Sequence, residues 1–409
     1  MKKNLILVLF TVLCAPFVMG QYSTTPQHQT PQPYVSPILP SGNGISVSVR
    51  SLYFDVVSDG GSYDAEILLR ELELRFEVYN RLFRFNTVAL PAPLKVRSIG
   101  DKGEYDRYVT ERLGAARDGA VYLHYPQADR RELVINRGSA EESRMLPNQA
   151  FIQYFRAFVA HPPTWMREGF AIYFNALRFD KTARELRYEE NLAWLETVKN
   201  LGTKAPNLES VFLADIRGQP EYFQPVSWAI VSFLLNAGGN REYFRTLTES
   251  FMLLSDQQTA GENSQSVLDR LLRWTNLEQI TTDYTNYVNS RQTFAELFNA
   301  GQMAYSAKNY VNATSFFQGA IYQNPTHYAP YYYLGLISYE NHDFDTAEVY
   351  YRTALNYDGA DLALLNYALG VNAASASRAA DAINYLETAI ATDPARYQEK
   401  AEEIIVRLR

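Results

Sequence analysis

The chain has 409 residues, a net charge of −7, 47% hydrophobic and 14% aromatic residues, and one cysteine. That length and apolar content are enough for two cores. A mildly acidic chain without a basic run argues against nucleic acid and anionic membrane surfaces as partners. Beyond the N-terminus no apolar stretch reaches the roughly 18 residues needed to span a bilayer.

The first residues, MKKNLILVLFTVLCAPFVMGQ, combine two lysines, an apolar run from Leu5 to Met19 and the small residue Gly20. This is the pattern of a secretory signal peptide over 1–20. Its removal takes Lys2 and Lys3 and leaves a charge of −9, and it also takes Cys14, so no disulfide is expected in what remains. A cysteine-free exported chain points to the periplasm or envelope of a bacterium, or to secretion. Residues 21–43, QYSTTPQHQTPQPYVSPILPSGN, are rich in proline, glutamine, serine and threonine and read as a disordered tether.

Order is expected from about Ile45. ISVSVRSLYFDVVS alternates as a strand does, and DAEILLRELELRFEVYNRLFRF spaces apolar residues three and four apart as a long helix does. PLKVRSIG, GAVYLHY and ELVINRG are further strand candidates. Helices are expected over 145–160, 165–177, 186–199, 224–237, 241–254 and 265–273. Strands followed by helices imply an α+β domain over 44–292.

Within it, residues 148–174 read NQAFIQYFRAFVAHPPTWMREGFAIYF. Trp165, Glu168, Gly169, Ala171, Tyr173 and Phe174 fit W-x-x-E-G-x-A-x-Y-F, and an apolar helix precedes them. The stretch resembles the gluzincin metallopeptidases, in particular the bacterial peptidase MA-like group. The resemblance implies a small sheet plus helices. It also implies a helix carrying HExxH, whose two histidines at i and i+4 hold zinc and whose glutamate activates water, with a third ligand from the second helix. Glu168 stands at that third position. Gln149 and Gln153 stand at the histidine positions and Ala150 at the catalytic glutamate. A neutral amide is a poor zinc ligand and alanine cannot move a proton, so no metal, no cofactor and no catalytic residue are expected. In place of zinc, a hydrogen-bonded Gln149–Glu168–Gln153 cluster is expected, the alternative being a solvated Glu168 beside Arg167. A zinc site rebuilt from His124, His161 and Glu168, or a hydrolase using Glu168 in a non-standard site, are the enzymatic alternatives.

From Phe294 the chain repeats. Gly301, Gly335 and Gly370 stand in register, as do Ala313, Ala347 and Ala382, and Ala320, Ala354 and Ala389, at spacings of 34 and then 35 residues. Small residues there let paired helices approach, and Pro325, Gly359 and Pro394 close each unit. The pattern resembles the tetratricopeptide repeat: three repeats over 293–394 and a capping helix over 395–409, an all-α solenoid. The resemblance places Phe298, Tyr305, Tyr332, Tyr339 and Tyr367 on the concave groove, where a protein or peptide partner would bind; the other reading makes these rings core. Residues 294–409 hold seven Lys and Arg against thirteen Asp and Glu, which favours a basic or neutral partner. The whole reads as an exported, non-catalytic pseudopeptidase acting in interaction or assembly.

Overall fold

The computed structural model describes residues 34–41, 44–188, 192–214, 220–236 and 240–409. The expected signal peptide lies outside them. The chain divides into two compact units, one of residues up to 190 with 197–290, the other of 191–196 with 291–409.

The first unit is built on a six-stranded sheet, β1 (Tyr34–Ser41), β2 (Gly44–Arg50), β3 (Phe54–Ser58), β4 (Leu94–Ile99), β5 (Ala120–Leu123) and β6 (Glu132–Asn136). Its spatial order is β1-β2-β3-β4-β6-β5. β3, β4 and β6 run parallel, while β1, β2 and the far edge strand β5 pair antiparallel to their neighbours. Two expectations change here. The described part of the presumed tether is a strand, β1, whose prolines 37 and 40 are tolerated because it lies at an edge and its register shifts between Ser36 and Leu39. The single run ISVSVRSLYFDVVS is two strands, divided where the Ser51 hydroxyl accepts from the Tyr53 and Phe54 amides.

Crossover helices cover both faces. α1 (Ser62–Phe83) joins β3 to β4, and α2 (Lys102–Leu113) follows β4. Val134 of β6 packs with Tyr105 and Val109 of α2, so Leu133 and Ile135, one residue either side, face the opposite layer. That layer holds α3 (Glu142–Phe158), and α4 (Thr164–Phe174) packs on α3. Aromatic rings fill the space between α1, α3 and α4. Tyr79 lies 5.3 Å from Phe151 and 4.7 Å from Phe174, and Phe83 lies 5.1 Å from Phe155 and 5.0 Å from Phe170. Such pairs add about 0.5–1.5 kcal/mol each beyond their burial. Arg75 of α1 is also buried, its charge matched by Glu71 one turn before it and its Nη1 bonded to the Leu177 carbonyl at 3.1 Å.

After α4 the chain forms a hairpin, β7 (Leu177–Asp180) and β8 (Glu185–Tyr188), where a helix over 186–199 was expected; the helix α5 starts only at Ala193 (Ala193–Leu201). Asp180 closes the hairpin turn by accepting from the Thr182 and Ala183 amides at 2.9 Å. α6 (Leu208–Phe212), α7 (Phe223–Asn236), α8 (Arg241–Ser250), α9 (Ala260–Leu271) and α10 (Leu277–Ser290) complete the helical half.

Besides residues 191–196, the second unit holds α11 (Phe294–Ser306), α12 (Tyr310–Gln323), α13 (Tyr328–Glu340), α14 (Phe344–Leu355), α15 (Leu362–Ser375), α16 (Ala379–Thr392) and α17 (Pro394–Leu408). It is a repeat of helix pairs. A Cβ added at Gly301, Gly335 or Gly370 would lie 2.6, 2.4 or 2.6 Å from Phe317, Tyr351 or Leu386. A large residue of the second helix thus presses on the glycine of the first in every pair. The three pairs also turn through the same left-handed residue, Lys308, His342 and Ser377. The extra residue of the third repeat is absorbed inside α15, fourteen residues long where α11 and α13 have thirteen. Each helix packs mainly on its neighbours in sequence, as a solenoid does.

Candidate functional site

The two helices of the peptidase-like stretch are α3 and α4. α3 contains Pro147, which has no N–H to give to the Ser143 carbonyl one turn back; Arg178 Nη1 supplies that bond instead, at 3.3 Å. On α3, Gln149, Ala150 and Gln153 face the sheet. Gln149 Oε1 accepts from the Tyr122 amide of edge strand β5 at 3.0 Å, and its Nε2 donates to Asn148 Oδ1 at 2.9 Å. Gln153, 2% exposed, donates through Nε2 to the Lys95 carbonyl of β4 at 2.9 Å. Ala150 is buried.

The expected Gln149–Glu168–Gln153 cluster is therefore not formed. Both amide donors go to other acceptors, and Glu168 bonds to Arg167 Nε and Nη2 at 2.9 and 2.6 Å and to Gln224 Nε2 of α7 at 3.0 Å. A guanidinium fork binds a carboxylate more strongly than a neutral amide does. The strand edge meanwhile offers main-chain groups that must be satisfied once buried. The reading of Glu168 beside Arg167 gives the right partner, but the pair is largely enclosed, with side chains only 13% and 16% exposed. His161 is exposed, and its carbonyl accepts from Asn263. Among the described residues no three His, Cys, Asp or Glu side chains come together in a group fit to hold a metal.

The rest of W-x-x-E-G-x-A-x-Y-F is packing. Trp165 is fully buried, stacks edge-on against Phe212 at 4.9 Å and donates Nε1 to Ser264 Oγ. Gly169 lies under α7: a Cβ there would sit 2.4 Å from the Ser227 carbonyl oxygen. Ala171, Tyr173 and Phe174 are buried. Only Arg167 and Glu168 are turned to a cleft, which Thr164, Pro220, Glu221, Phe223 and Gln224 also line; its volume is about 270 Å³. The Thr164 hydroxyl is buried there with no partner among the described residues.

His124 follows β5, its ring 5.7 Å from that of Tyr122. Burial first, then the charges of Arg156, Arg131, His161 and Arg167, pull its pKa down to about 4. Burial and then Arg167 pull the Arg156 guanidinium down to about 10. Neither arginine 131 nor 156 stands out in the sequence, because cations on a helix and before a strand ordinarily read as solvated.

In the second unit the five expected groove rings are all half-buried. Phe298 and Tyr305 pack on the Phe317–Leu334–Ile337 cluster. Tyr333, which the sequence reading did not single out, joins them at 5.6 and 5.5 Å. Tyr332 and Tyr339 pack against Tyr351 and Leu369. Tyr367 is 4.9 Å from Tyr397 of α17. Each ring thus spends one side on inter-helix packing.

No family model and no curated sequence matches the chain. Among solved structures, the chain is similar to the Arabidopsis OM64 TPR domain, with 22% identity over 28% of this chain and 93% of that one, at a TM-score of 0.27. It is similar also to a chain of a CopN-Scc3 complex, with 19% identity over 28% of this chain and 69% of that one, at a TM-score of 0.26.

Proposed function

We propose that the chain is an interaction or assembly factor: a gluzincin-like frame whose metal-binding positions serve the fold, joined to a repeat that takes a protein or peptide partner. One observation carries the first half. At the two positions where the peptidase resemblance calls for imidazole, Gln149 and Gln153 hydrogen-bond to the Tyr122 amide and the Lys95 carbonyl. They are spent on seating α3 against the sheet. The second half rests on the repeat, whose aromatic rings, four tyrosines and Phe298, are half-buried; such side chains contact peptides at low entropic cost. Export to a bacterial envelope belongs to the same proposal and is supported by the pattern of residues 1–20.

The test is zinc. Titration of the purified protein with zinc, followed by calorimetry and by thermal melting, is expected to give no stoichiometric binding and no change in Tm on adding chelator. Tight one-to-one binding lost in Glu168→Gln would reject the proposal in favour of a working metallohydrolase.

A further inference from the structure

Among the described residues of the first unit, the large apolar side chains most open to solvent are Val88, Met252 and Leu52, at 89%, 76% and 68% exposed. Single exposed apolar residues are ordinary. These three are not scattered, because each lies beside a ring of one aromatic stack. Leu52 precedes Tyr53, which stacks on Phe76 at 4.2 Å. Phe76 lies 6.2 Å from Phe158, and Phe158 stacks at 5.0 Å on Phe85, three residues before Val88. Phe85 stacks on Phe83 at 5.4 Å, and Phe83 stacks at 4.4 Å on Phe251, the residue before Met252.

The stack stands at one end of the sheet. Phe83 closes α1 and Phe158 closes α3, while Tyr53 and Leu94 lie where the parallel strands β3 and β4 begin. The Leu94 amide donates to the Tyr53 carbonyl at 2.7 Å. Between α1 and β4 the chain reads RFNTVALPAP over 84–93, and Ala89, Pro91 and Ala92 are exposed along with Val88. The exposure of Val88 is built in. Asn86 Oδ1 accepts from the Val88 amide at 3.2 Å, and the Asn86 and Thr87 carbonyls accept from the Ala89 and Leu90 amides at 3.0 and 3.3 Å. These bonds fix a short 3-10 turn, Thr87–Ala89, with Val88 in its middle.

The same end is basic on an otherwise acidic chain. Residues 78–100 contain Arg81, Arg84, Lys95 and Arg97 and no acid. Arg81 and Arg97 are matched by Glu77 and Glu132, and Arg50 by Asp55. On α8 and α9, which pack against the Met252 turn, Arg245 and Arg270 are matched by Glu242 and Glu249. In formal charge that leaves Arg84, Lys95, Arg130, Arg131 and Arg156 against Asp129, Asp256 and Glu262, a surplus of two positive charges. Lys95 Nζ reaches the Asp129 carbonyl at 2.7 Å, and Asp256 accepts from the Ala160 amide at 2.6 Å just beyond α3. The whole-chain charge of −7 hides this surplus because the acid is concentrated in residues 294–409.

We propose that this end of the first unit rests on an anionic lipid bilayer, with Val88, Leu52 and Met252 entering the boundary between headgroups and acyl chains. Arg84 and Lys95, both exposed, then lie at the level of the lipid phosphates. Apolar burial and attraction to anionic lipid add in such binding. A protein partner suits the arrangement less well, because protein interfaces gather their apolar residues into a dry centre and keep charge at the rim. Here the apolar tips are separate, the loop projects, and cations stand between them, which a fluid surface accommodates without a matching shape. The proposal is independent of the reading of the glutamines and of the repeat.

The experiment is co-sedimentation of residues 21–409 with vesicles of equal parts phosphatidylglycerol and phosphatidylcholine, and with phosphatidylcholine alone. Residues 1–20 are left out because their apolar run would bind lipid by itself. Binding to the anionic vesicles is expected, weaker on the neutral ones and falling as salt is raised. Val88→Asp and Met252→Asp should each weaken it about tenfold or more, with Tm unchanged because both side chains are exposed. Val311→Asp, at a position 82% exposed in α12, should leave it unaltered. Residues 21–409 contain no cysteine, so Val88→Cys and Val311→Cys each accept one polarity-sensitive dye; the dye at 88 should shift to the blue on vesicles and the dye at 311 should not. Failure to bind anionic vesicles overturns the proposal, as does binding that Val88→Asp leaves unchanged or an equal dye shift at the two positions. Dimers in lipid-free solution that Val88→Asp dissociates would assign the patch to a second copy of the chain and overturn it equally.

Discussion

Gly169 of α4 lies directly beneath the Ser227 carbonyl of α7, with 2.4 Å between that oxygen and the place a Cβ would occupy. The obstacle is backbone, which cannot swing aside. Gly169→Ala is therefore expected to push the helices apart and cost about 1–3 kcal/mol, read from the midpoint of urea unfolding. A variant as stable as the parent would mean that α7 sits farther from α4 than described.

In the repeat the obstacle is a ring. Gly335→Ala brings a methyl to 2.4 Å from Tyr351, and about 1–3 kcal/mol should again be lost. Here the double variant Gly335→Ala with Tyr351→Leu should recover part of the loss, because the crowding ring is gone. Absence of any coupling in the double-mutant cycle would show that the two residues do not touch.

Gln153→Leu removes the side-chain donor to the Lys95 carbonyl under α3. The expected cost is about 1–3 kcal/mol for the orphaned acceptor, with no change in response to zinc. If stability is unaffected and zinc response changes, position 153 has a role other than anchoring α3.

Glu71→Ala leaves Arg75 charged and buried, with the Leu177 carbonyl and the Tyr79 hydroxyl beside it but no carboxylate. Breaking a buried pair in this way typically costs about 3–5 kcal/mol. Glu71→Gln keeps a hydrogen bond and should cost less. Equal losses for the two variants would argue that shape, not charge, matters at this position.

His124 makes stability sensitive to acid. Its folded pKa, about 4, lies below the ordinary 6.5, so between these values the unfolded chain binds more protons than the folded one. The contribution is complete above about pH 6.5 and is lost as pH falls toward 4. His124→Asn should flatten the stability profile over that window relative to the parent and leave the two parallel above it. Profiles that stay parallel throughout would show an ordinary histidine.

The repeat was legible in the sequence because its packing is local. Gly335 meets Tyr351 sixteen residues away, and the same large-against-small pair recurs in each repeat, so spacing alone reveals it. The pattern of WMREGFAIYF was legible as a resemblance, although the packing behind it is not local: Trp165 bonds to Ser264, 99 residues on, and Gly169 lies under Ser227. What was missed depends on distant partners or weak patterns. Gln149 and Gln153 bond to groups 27 and 58 residues away, and nothing at i and i+4 announces which acceptors those will be. α2 buries only Tyr105 and Val109, too few apolar positions to show a helical period. β8 is four residues long, short enough for its alternation to pass as the start of a helix, and the turn at Ser51 hides inside an unbroken alternation.

Because each helix from α11 to α17 leans chiefly on the one before and after it in sequence, disruption at the C-terminal end need not spread. Loss of α17 should fray α15 and α16 while α11 to α14 stay intact. The sheet-based unit, whose strands pair across long stretches of chain, has no such option and should unfold as one block. A single melting temperature would then conceal two kinds of failure: one gradual from the terminus inward, the other all at once.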